Sequence, residues 1–378
     1  MFLNNVLSAI NLGWKPQGVS YGFVLSEITK IPAALFFVYF LDAGVMGIII
    51  AFFLGNLASL IFQIFYARNQ IKNKIKIKYI KKWIKLSWIP LYPEISEKMF
   101  ILDVIVFPLI VHSVNGLAFF AAAMTIAGLV GQTRLITRAI YPKLLQDGKS
   151  NYLQENITHL FYFAIPITAL SITFAKSGLF ALNPIYASAV FVVMFLSLRM
   201  FFHTINQVFC ASIEGIENVD KNIKSTFKDY MKSKLFFMPT IRLIQNIIYI
   251  GTLIIVLLIL RNDLSEIELV TLWSLIALLT TIPFSIYYYI LARQKFELKF
   301  DLKRILKYFL VSVGVFGTIL ILQNQFLEFN NNIFEFIPSL LVFALLGVSG
   351  YVLITYLIDG HTQKLFKSIF QEIYKKSN

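Results

Sequence analysis

The chain has 378 residues, of which 58% are hydrophobic and only 14% charged, and its mean hydropathy is +0.72. The core of a soluble domain of this size cannot bury so large an apolar share, so the composition indicates an integral membrane protein. A formal net charge of +14 would suggest nucleic acid in a soluble protein. Here the basic residues flank apolar segments, so membrane topology explains them and we expect no nucleic-acid partner.

Ten apolar segments are long enough to cross a hydrocarbon core of about 30 Å at about 1.5 Å per residue. They lie at residues 21–41, 45–66, 95–114, 117–136, 160–179, 187–211, 239–260, 269–291, 305–322 and 337–358. The first and third are the least apolar, since the first holds Glu27 and Lys30 and the third holds Glu97, Lys98 and Asp103. We therefore predict an all-α fold, a polytopic bundle of about ten transmembrane helices in the plasma membrane.

Basic residues are confined to alternate connections between these segments. Residues 68–85 hold eight Lys and Arg residues and no acidic residue, and residues 134–149, 221–242, 293–307 and 364–376 are also basic. The connections between them hold at most one basic residue each and lie near Asp42, Asn115, Lys176, Arg261 and Asn324. Because cytoplasmic loops are the ones enriched in Lys and Arg, this alternation predicts an even number of spans and cytoplasmic termini at both ends.

The basic connections also predict a lipid partner. In residues 68–88, lysines alternate with isoleucines and Trp83. Such a segment is either an amphipathic linker lying on the anionic inner leaflet or a plain charge cluster that sets topology. We expect anionic lipids at these loops.

Two sets of polar residues within the spans are expensive to bury and therefore mark candidate sites. Glu27 and Lys30 are three residues apart on one helix face, which fits an internally neutralised pair or a cavity that receives an anionic group. Asp103 lies deeper in its span than Glu94, which the interface can solvate, so Asp103 is the better candidate for a buried carboxylate.

Arg199, His203 and Gln207 form a stripe at four-residue spacing, joined by Asn206. The guanidinium of Arg199 could bind a phosphate group through two parallel hydrogen bonds. The alternative is that Arg199 reaches the membrane surface or pairs with Asp103 or Glu27.

Catalytic and metal motifs are not found in the sequence. The external connections are too short for a catalytic domain, the four histidines form no HExxH pattern, and the single Cys210 cannot build a cysteine zinc site. We therefore expect no enzyme activity, no cofactor and no metal, and transport or scaffolding remains. Prolines interrupt several spans, as is common in transporters, at Pro32, Pro108, Pro166, Pro283 and Pro338.

Several strings are similar to one family. These are KKWIKLSWIPLYPEI (81–95), ILDVIVFPLI (101–110), AFFAAAMTIAGLVGQTRLITRAIYPKLL (118–145), LNPIYASAV (182–190), SIEGIENVD (212–220), STFKDYMKSKLF (225–236) and GVMGIIIAFFLGNLASLIF (44–62). Together they resemble archaeal polysaccharide biosynthesis proteins of the multidrug, oligosaccharidyl-lipid and polysaccharide exporter superfamily.

The resemblance implies a flippase that carries lipid-linked oligosaccharide to the outer leaflet by rocking two six-helix lobes. It assigns residues 1–67 to the end of the first lobe, 68–88 to a linker, 89–291 to the second lobe and 292–378 to a C-terminal helix pair and tail. About four N-terminal spans of that pattern are missing. Either the start of the chain is misassigned or truncated, or a second chain supplies the missing half-lobe.

A flippase needs a cationic cavity for a sugar pyrophosphate, which cannot cross hydrocarbon unaided. The substrate-binding candidates are Lys30, Arg199, His203 and Gln207, and the candidates for charge balance or ion coupling are Glu27 and Asp103. Two other classes stay open. A multidrug or cation antiporter of the same superfamily would have a net acidic cavity, and a non-transporting scaffold for glycan assembly would have no cargo.

Overall fold

The structure, a computed structural model, describes residues 2–15, 17–72, 77, 88–137, 150–217, 219, 226–296 and 301–377. All regular elements in these ranges are helices, as lipid requires of spans that must satisfy their backbone hydrogen bonds internally. Most of the predicted linker 68–88 lies outside the described residues, as do Arg138, Lys143, Lys149, Lys221 and Lys224.

Nine helices of the described residues are long and apolar enough to cross a membrane, which confirms the predicted polytopic all-α bundle. They are Gln17–Phe40, Gly44–Ile71, Asn115–Arg134, Leu153–Thr173, Pro184–Gly215, Lys234–Leu260, Glu266–Phe296, Leu302–Phe326 and Ile333–Ile358. Each contains one of the predicted apolar segments or most of it. The third predicted segment, 95–114, is not among them.

The chain divides into two compact units, Met1–Trp88 and Ile89–Asn378. The first unit contains α1 (Phe2–Trp14), α2 (Gln17–Ala34) with a following π-helix (Leu35–Phe40), and α3 (Gly44–Ile71). Pro32 lies inside α2 shortly before the π-helical turns. Proline removes a backbone donor, and a local change of helical hydrogen bonding is an ordinary response to that loss.

Helices α2 and α3 pack through small side chains. The buried residues of α3 recur every four residues, at Gly47, Ala51, Gly55, Ser59, Gln63 and Ala67. At Gly55, a Cβ atom would lie only 2.8 Å from the carbonyl oxygen of Ser26 on α2. Small residues at such spacing let two membrane helices approach closely, so this face holds the hairpin together.

The second unit contains the remaining helices, except that Trp88, where the first of them begins, belongs to the first unit. They are α4 (Trp88–Lys98), a 3₁₀ turn (Met99–Leu102), α5 (Asp103–Val111), α6 (Asn115–Gly131), a 3₁₀ segment (Gln132–Thr137), α7 (Ser150–Thr173), α8 (Ala175–Leu182), a 3₁₀ segment (Pro184–Ala189), α9 (Val190–Gly215), α10 (Phe227–Met231), α11 (Lys234–Leu260), α12 (Glu266–Phe296), α13 (Leu302–Phe326), α14 (Ile333–Ile358) and α15 (Gly360–Ser377). Alanine, valine and leucine side chains of α6, α9 and α12 form its largest core around the buried Trp273.

The third predicted segment is a broken helix (residues 88–111) made of α4, the 3₁₀ turn and α5. It runs beside α11 over nearly its whole length, with contacts that pair Tyr92 with Thr240, Ser96 with Asn246, Asp103 with Tyr249 and Ile110 with Arg261. At about 1.5 Å per residue it is roughly 36 Å long, enough to span a bilayer. The ten predicted segments are therefore nine long apolar helices and one broken helix in the described part of the chain.

Contacts between α7, α13 and α14 test the order of the spans. Midway along α7, the Tyr162 hydroxyl lies 3.3 Å from the Thr355 hydroxyl near the end of α14, and nearer the start of α7 the His159 ring lies 5.0 Å from the His361 ring just after α14. At the opposite end, Ser177 of α8 donates to Gln323 near the end of α13 at 3.3 Å. The start of α7 and the end of α14 thus share one end of the unit, as an even number of intervening crossings requires. That this end is cytoplasmic stays a prediction.

Candidate functional site: a cavity around Arg199

The predicted polar stripe of α9 lines a cavity between α9, α11, α12 and the broken helix. We call it the Arg199 cavity. Its polar and aromatic lining comprises Arg199, His203, Asn206, Gln207 and Cys210 from α9, Arg242, Gln245, Asn246 and Tyr249 from α11, Thr280, Thr281 and Tyr288 from α12, and Glu97 and Phe100 from the broken helix. The space open to the centres of water molecules is about 40 Å³. It holds roughly two or three waters.

Arg199 is the buried cation of this cavity, with only 5% of its surface exposed. Its guanidinium carbon lies 3.7 Å from the centre of the Phe100 ring, a cation–π contact. Its buried Nη1 atom has no hydrogen-bond partner, and no carboxylate of the described residues lies within 4 Å of the guanidinium. Arg199 therefore presents a positive charge with an unused donor to the cavity.

Asp103 is also buried, at 1% exposure, but neutral donors hold it. Its carboxylate accepts hydrogen bonds from the Tyr249 hydroxyl at 2.7 Å, from the Trp273 indole at 3.1 Å and from the Val104 amide at 2.7 Å. The pairing of Arg199 with Asp103 that the sequence left open is thus not formed as an ion pair. Asp103 instead links the broken helix to α11 and α12, directly behind Tyr249.

The other lining groups give the cavity a net positive character. Arg242 forms an ion pair with Glu97 at 3.6 Å, and the Nε2 atoms of His203 and Gln207 lie 3.0 Å apart. Two guanidinium groups and one carboxylate therefore line the cavity, and outside the lining Asp103 and Glu214 act electrostatically on Arg199 and Arg242, respectively. The lining itself carries one more positive group than negative, and the Nη1 donor of Arg199 is unused.

The second predicted polar pair lies in the first unit. Lys30 Nζ is 2.7 Å from a carboxylate oxygen of Glu27 and 4.7 Å from the centre of the Phe52 ring. This is the internally neutralised pair that the sequence offered as one of two alternatives. The membership of Lys30 and Glu27 in the same cavity as Arg199 remains a prediction.

Several residues of the cavity were not predicted. Arg242 was grouped with the basic residues that set topology, although it lies two turns inside α11 and pairs with Glu97. Tyr249 and Trp273 carry no sequence signal that separates them from ordinary core aromatics, since only the fold brings them to Asp103. The position of Arg242 inside the predicted span 239–260 was the one usable signal.

Comparisons of the chain with models of protein families, with curated proteins and with solved structures give no match. The multi-pass membrane character therefore stands on the nine long apolar helices of the described residues. The resemblance to the exporter superfamily stays a prediction, and so do the glycan substrate and a second chain that completes the first lobe.

Proposed function

We propose that the protein is a membrane transporter of the flippase type that moves a lipid-linked oligosaccharide or polysaccharide precursor across the cytoplasmic membrane by alternating access. The observation that carries the proposal is Arg199, a buried cation with an unused donor in a cavity among apolar helices. Intramembrane charges of this kind are costly and mark substrate pathways.

A pyrophosphate group is the guest that this cation suits. The planar guanidinium can bind two phosphate oxygens at once, and the hydrogen bonds are strengthened by the opposite charges. Binding would give Arg199 the direct ion pair that it lacks within the described residues and would use its free Nη1 donor. The lipid tail would stay in the bilayer while the polar head group entered between the helices.

The size of the Arg199 cavity fits a transporter in a closed state. A volume of about 40 Å³ holds a few waters but no sugar. Entry of a glycan head group therefore requires α9, α11 and α12 to separate, which is the opening step of alternating access. Pro283, inside α12, is a place where that helix can bend.

The net positive lining favours the flippase over the multidrug antiporter, because an antiporter for organic cations would use acidic groups without partners. The one lining carboxylate, Glu97, is paired with Arg242. The scaffold alternative makes no demand on the charge of the cavity, so an experiment must separate it from transport.

The test uses the purified full chain in lipid vesicles and a dye-labelled polyprenyl pyrophosphate that carries one sugar. We expect Arg199→Gln to slow transfer between leaflets by about 10- to 100-fold, since a charge-assisted hydrogen bond contributes about 1.5–3 kcal/mol. Arg199→Lys keeps the charge but not the bidentate geometry and should lie in between. Arg293→Gln, an exposed position in the last turn of α12, is the matched control.

Two results would contradict the proposal. If the Arg199→Gln and Lys30→Gln variants are as abundant as the wild type and glycan still reaches the outer cell face at the normal rate with either of them, the protein is a scaffold. If the wild-type protein moves a dye-labelled organic cation but not the pyrophosphate lipid, it is an antiporter.

A further inference from the structure

A second polar cluster lies outside the Arg199 cavity, where α7 and α15 begin. It consists of Glu155 and His159 from α7 and His361 from α15. One ligand atom of each side chain lies within 4.8 Å of the ligand atoms of the other two. Their chemistry, two imidazoles and a carboxylate, is that of a transition-metal site.

The helices hold these three side chains together. Glu155 and His159 are four residues apart on α7, so they share one face of that helix. The Tyr351 hydroxyl of α14 donates to the carbonyl oxygen of Tyr162 at 2.9 Å, which fixes α14 against α7 just before the chain reaches His361.

The turn from α14 into α15 is fixed as well. Asp359 accepts a hydrogen bond from the Tyr308 hydroxyl at 2.9 Å and two from Thr362, through its amide at 3.0 Å and its hydroxyl at 2.9 Å. His361 lies between Asp359 and Thr362 in sequence, so the same hydrogen bonds place its imidazole beside α7.

Hydrogen bonds do not account for this cluster in the described part of the chain. The two imidazole rings lie 5.0 Å apart between centroids and both residues are half-buried. Neither ring nor the Glu155 carboxylate has a hydrogen bond or an ion pair with any described residue. Glu155 is exposed and can be hydrated, but the two half-buried imidazoles face each other and this carboxylate with no hydrogen-bond partner among the described residues, an arrangement that a bound cation would satisfy.

We propose that Glu155, His159 and His361 bind a divalent transition-metal ion of the zinc type. Imidazole donors favour zinc and its neighbours over magnesium and calcium, which prefer oxygen ligands. Zinc–ligand distances of about 2.0–2.2 Å place tetrahedral ligand atoms roughly 3.4 Å apart. The ligand atoms, which lie within 4.8 Å of one another, would approach each other on binding, and three protein ligands leave one position for water.

A bound ion would join α7 to the start of α15. The sequence contains no zinc motif for this site because His361 is about two hundred residues from the other two ligands, and only the packing of α14 on α7 brings them together. The site shares no residue with the Arg199 cavity and does not depend on the proposed transport activity.

The test measures zinc bound to the full chain, purified in detergent without a polyhistidine tag and dialysed against micromolar free Zn²⁺. We expect one ion per chain by elemental analysis, and a visible absorption band of four-coordinate Co²⁺ when cobalt replaces zinc. His159→Ala and His361→Ala should each weaken binding by about 10-fold or more, and Glu155→Gln should weaken it less.

His112→Asn is the matched control, since it removes a histidine from the opposite end of the bundle. His112 has a φ of 57°, a left-handed conformation that asparagine tolerates. The proposal is overturned if the wild-type chain binds no zinc, or if the triple variant of Glu155, His159 and His361 binds as much as the wild type. The measurement on the wild-type chain does not depend on whether any variant folds.

Discussion

At the scale of single residues, Asp103 shows how one carboxylate connects three helical segments. It accepts hydrogen bonds from Tyr249 of α11 and Trp273 of α12, and the Trp273 indole also lies 2.6 Å from the Tyr249 oxygen. All three side chains are buried. Removing the common acceptor leaves the proton of the Tyr249 hydroxyl without an acceptor, and such an unsatisfied buried donor costs about 1–3 kcal/mol.

We therefore expect Asp103→Ala to lower the free energy of unfolding by about 1–3 kcal/mol, measured as loss of helical signal on heating in detergent. Asp103→Asn should lower it less, because the amide oxygen still accepts from Tyr249. Asp263→Asn, exposed in the turn after α11, is the control. An Asp103→Ala protein as stable as the wild type would show that this hydrogen-bond network does not hold the helices.

Residue spacing predicted part of the Arg199 cavity. The four-residue stripe of Arg199, His203 and Gln207 does lie on one face of α9 and does line one cavity. The partners of Asp103 could not be predicted, because Tyr249 and Trp273 lie 146 and 170 residues away from it. Helical periodicity reports which residues of one helix share a face, whereas pairing across helices depends on how they pack.

At the scale of helices, the α2–α3 hairpin depends on glycine. A Cβ atom at Gly55 would lie 2.8 Å from the Ser26 carbonyl oxygen, which is backbone and cannot rotate away. We expect Gly55→Ala to destabilise the hairpin by about 1–3 kcal/mol, the usual cost of overpacking.

The measurement is the resistance of helical structure to sodium dodecyl sulfate in mixed micelles. Gly251→Ala is the matched control, since a Cβ there meets nothing within 4 Å. Alanine is the better helix former by about 0.8–1.0 kcal/mol, so this control should be neutral or stabilising. Equal effects of the two substitutions would mean that close packing at Gly55 contributes nothing.

The broken helix marks the limit of prediction for whole elements. The length of the apolar segments was enough to predict the nine long helices, because a run of about 20 apolar residues in lipid has few alternatives to a helix. It also placed a crossing near 95–114, but not the 3₁₀ turn at Met99–Leu102. That turn directly precedes Asp103, whose hydrogen bonds to α11 and α12 lie outside any local pattern.

At the scale of the whole molecule, the charge asymmetry of the connections predicts which groups share a side of the membrane. The test replaces Cys210 by Ala and introduces single cysteines at exposed positions. Cysteines that replace Lys228 and Lys367 should react with a membrane-impermeant maleimide only after lysis. Cysteines that replace Ser188 and Asn331 should react in intact cells. Cys210 is the only native cysteine and is buried, so its removal leaves a clean background.

Labelling of Lys228 and Lys367 from opposite sides would contradict both the positive-inside argument and the even span count. The contacts between α7 and α14 already agree with that count in the second unit. Composition and apolar length were enough to predict an all-α polytopic protein. They could not reveal the division at Trp88, which follows from contacts among distant segments.

Trp273 lies between the Phe107 and Phe120 rings, at centroid distances of 4.9 and 3.7 Å, and its indole meets Tyr249 on the wall of the Arg199 cavity. The emission of a tryptophan depends on the polarity and hydrogen bonding around its indole. An anion bound at Arg199 would lie in the cavity that Tyr249 also lines, and so change that environment. Under the proposed function, Trp273, one of four tryptophans, would report the arrival of an anion in the cavity one aromatic ring away.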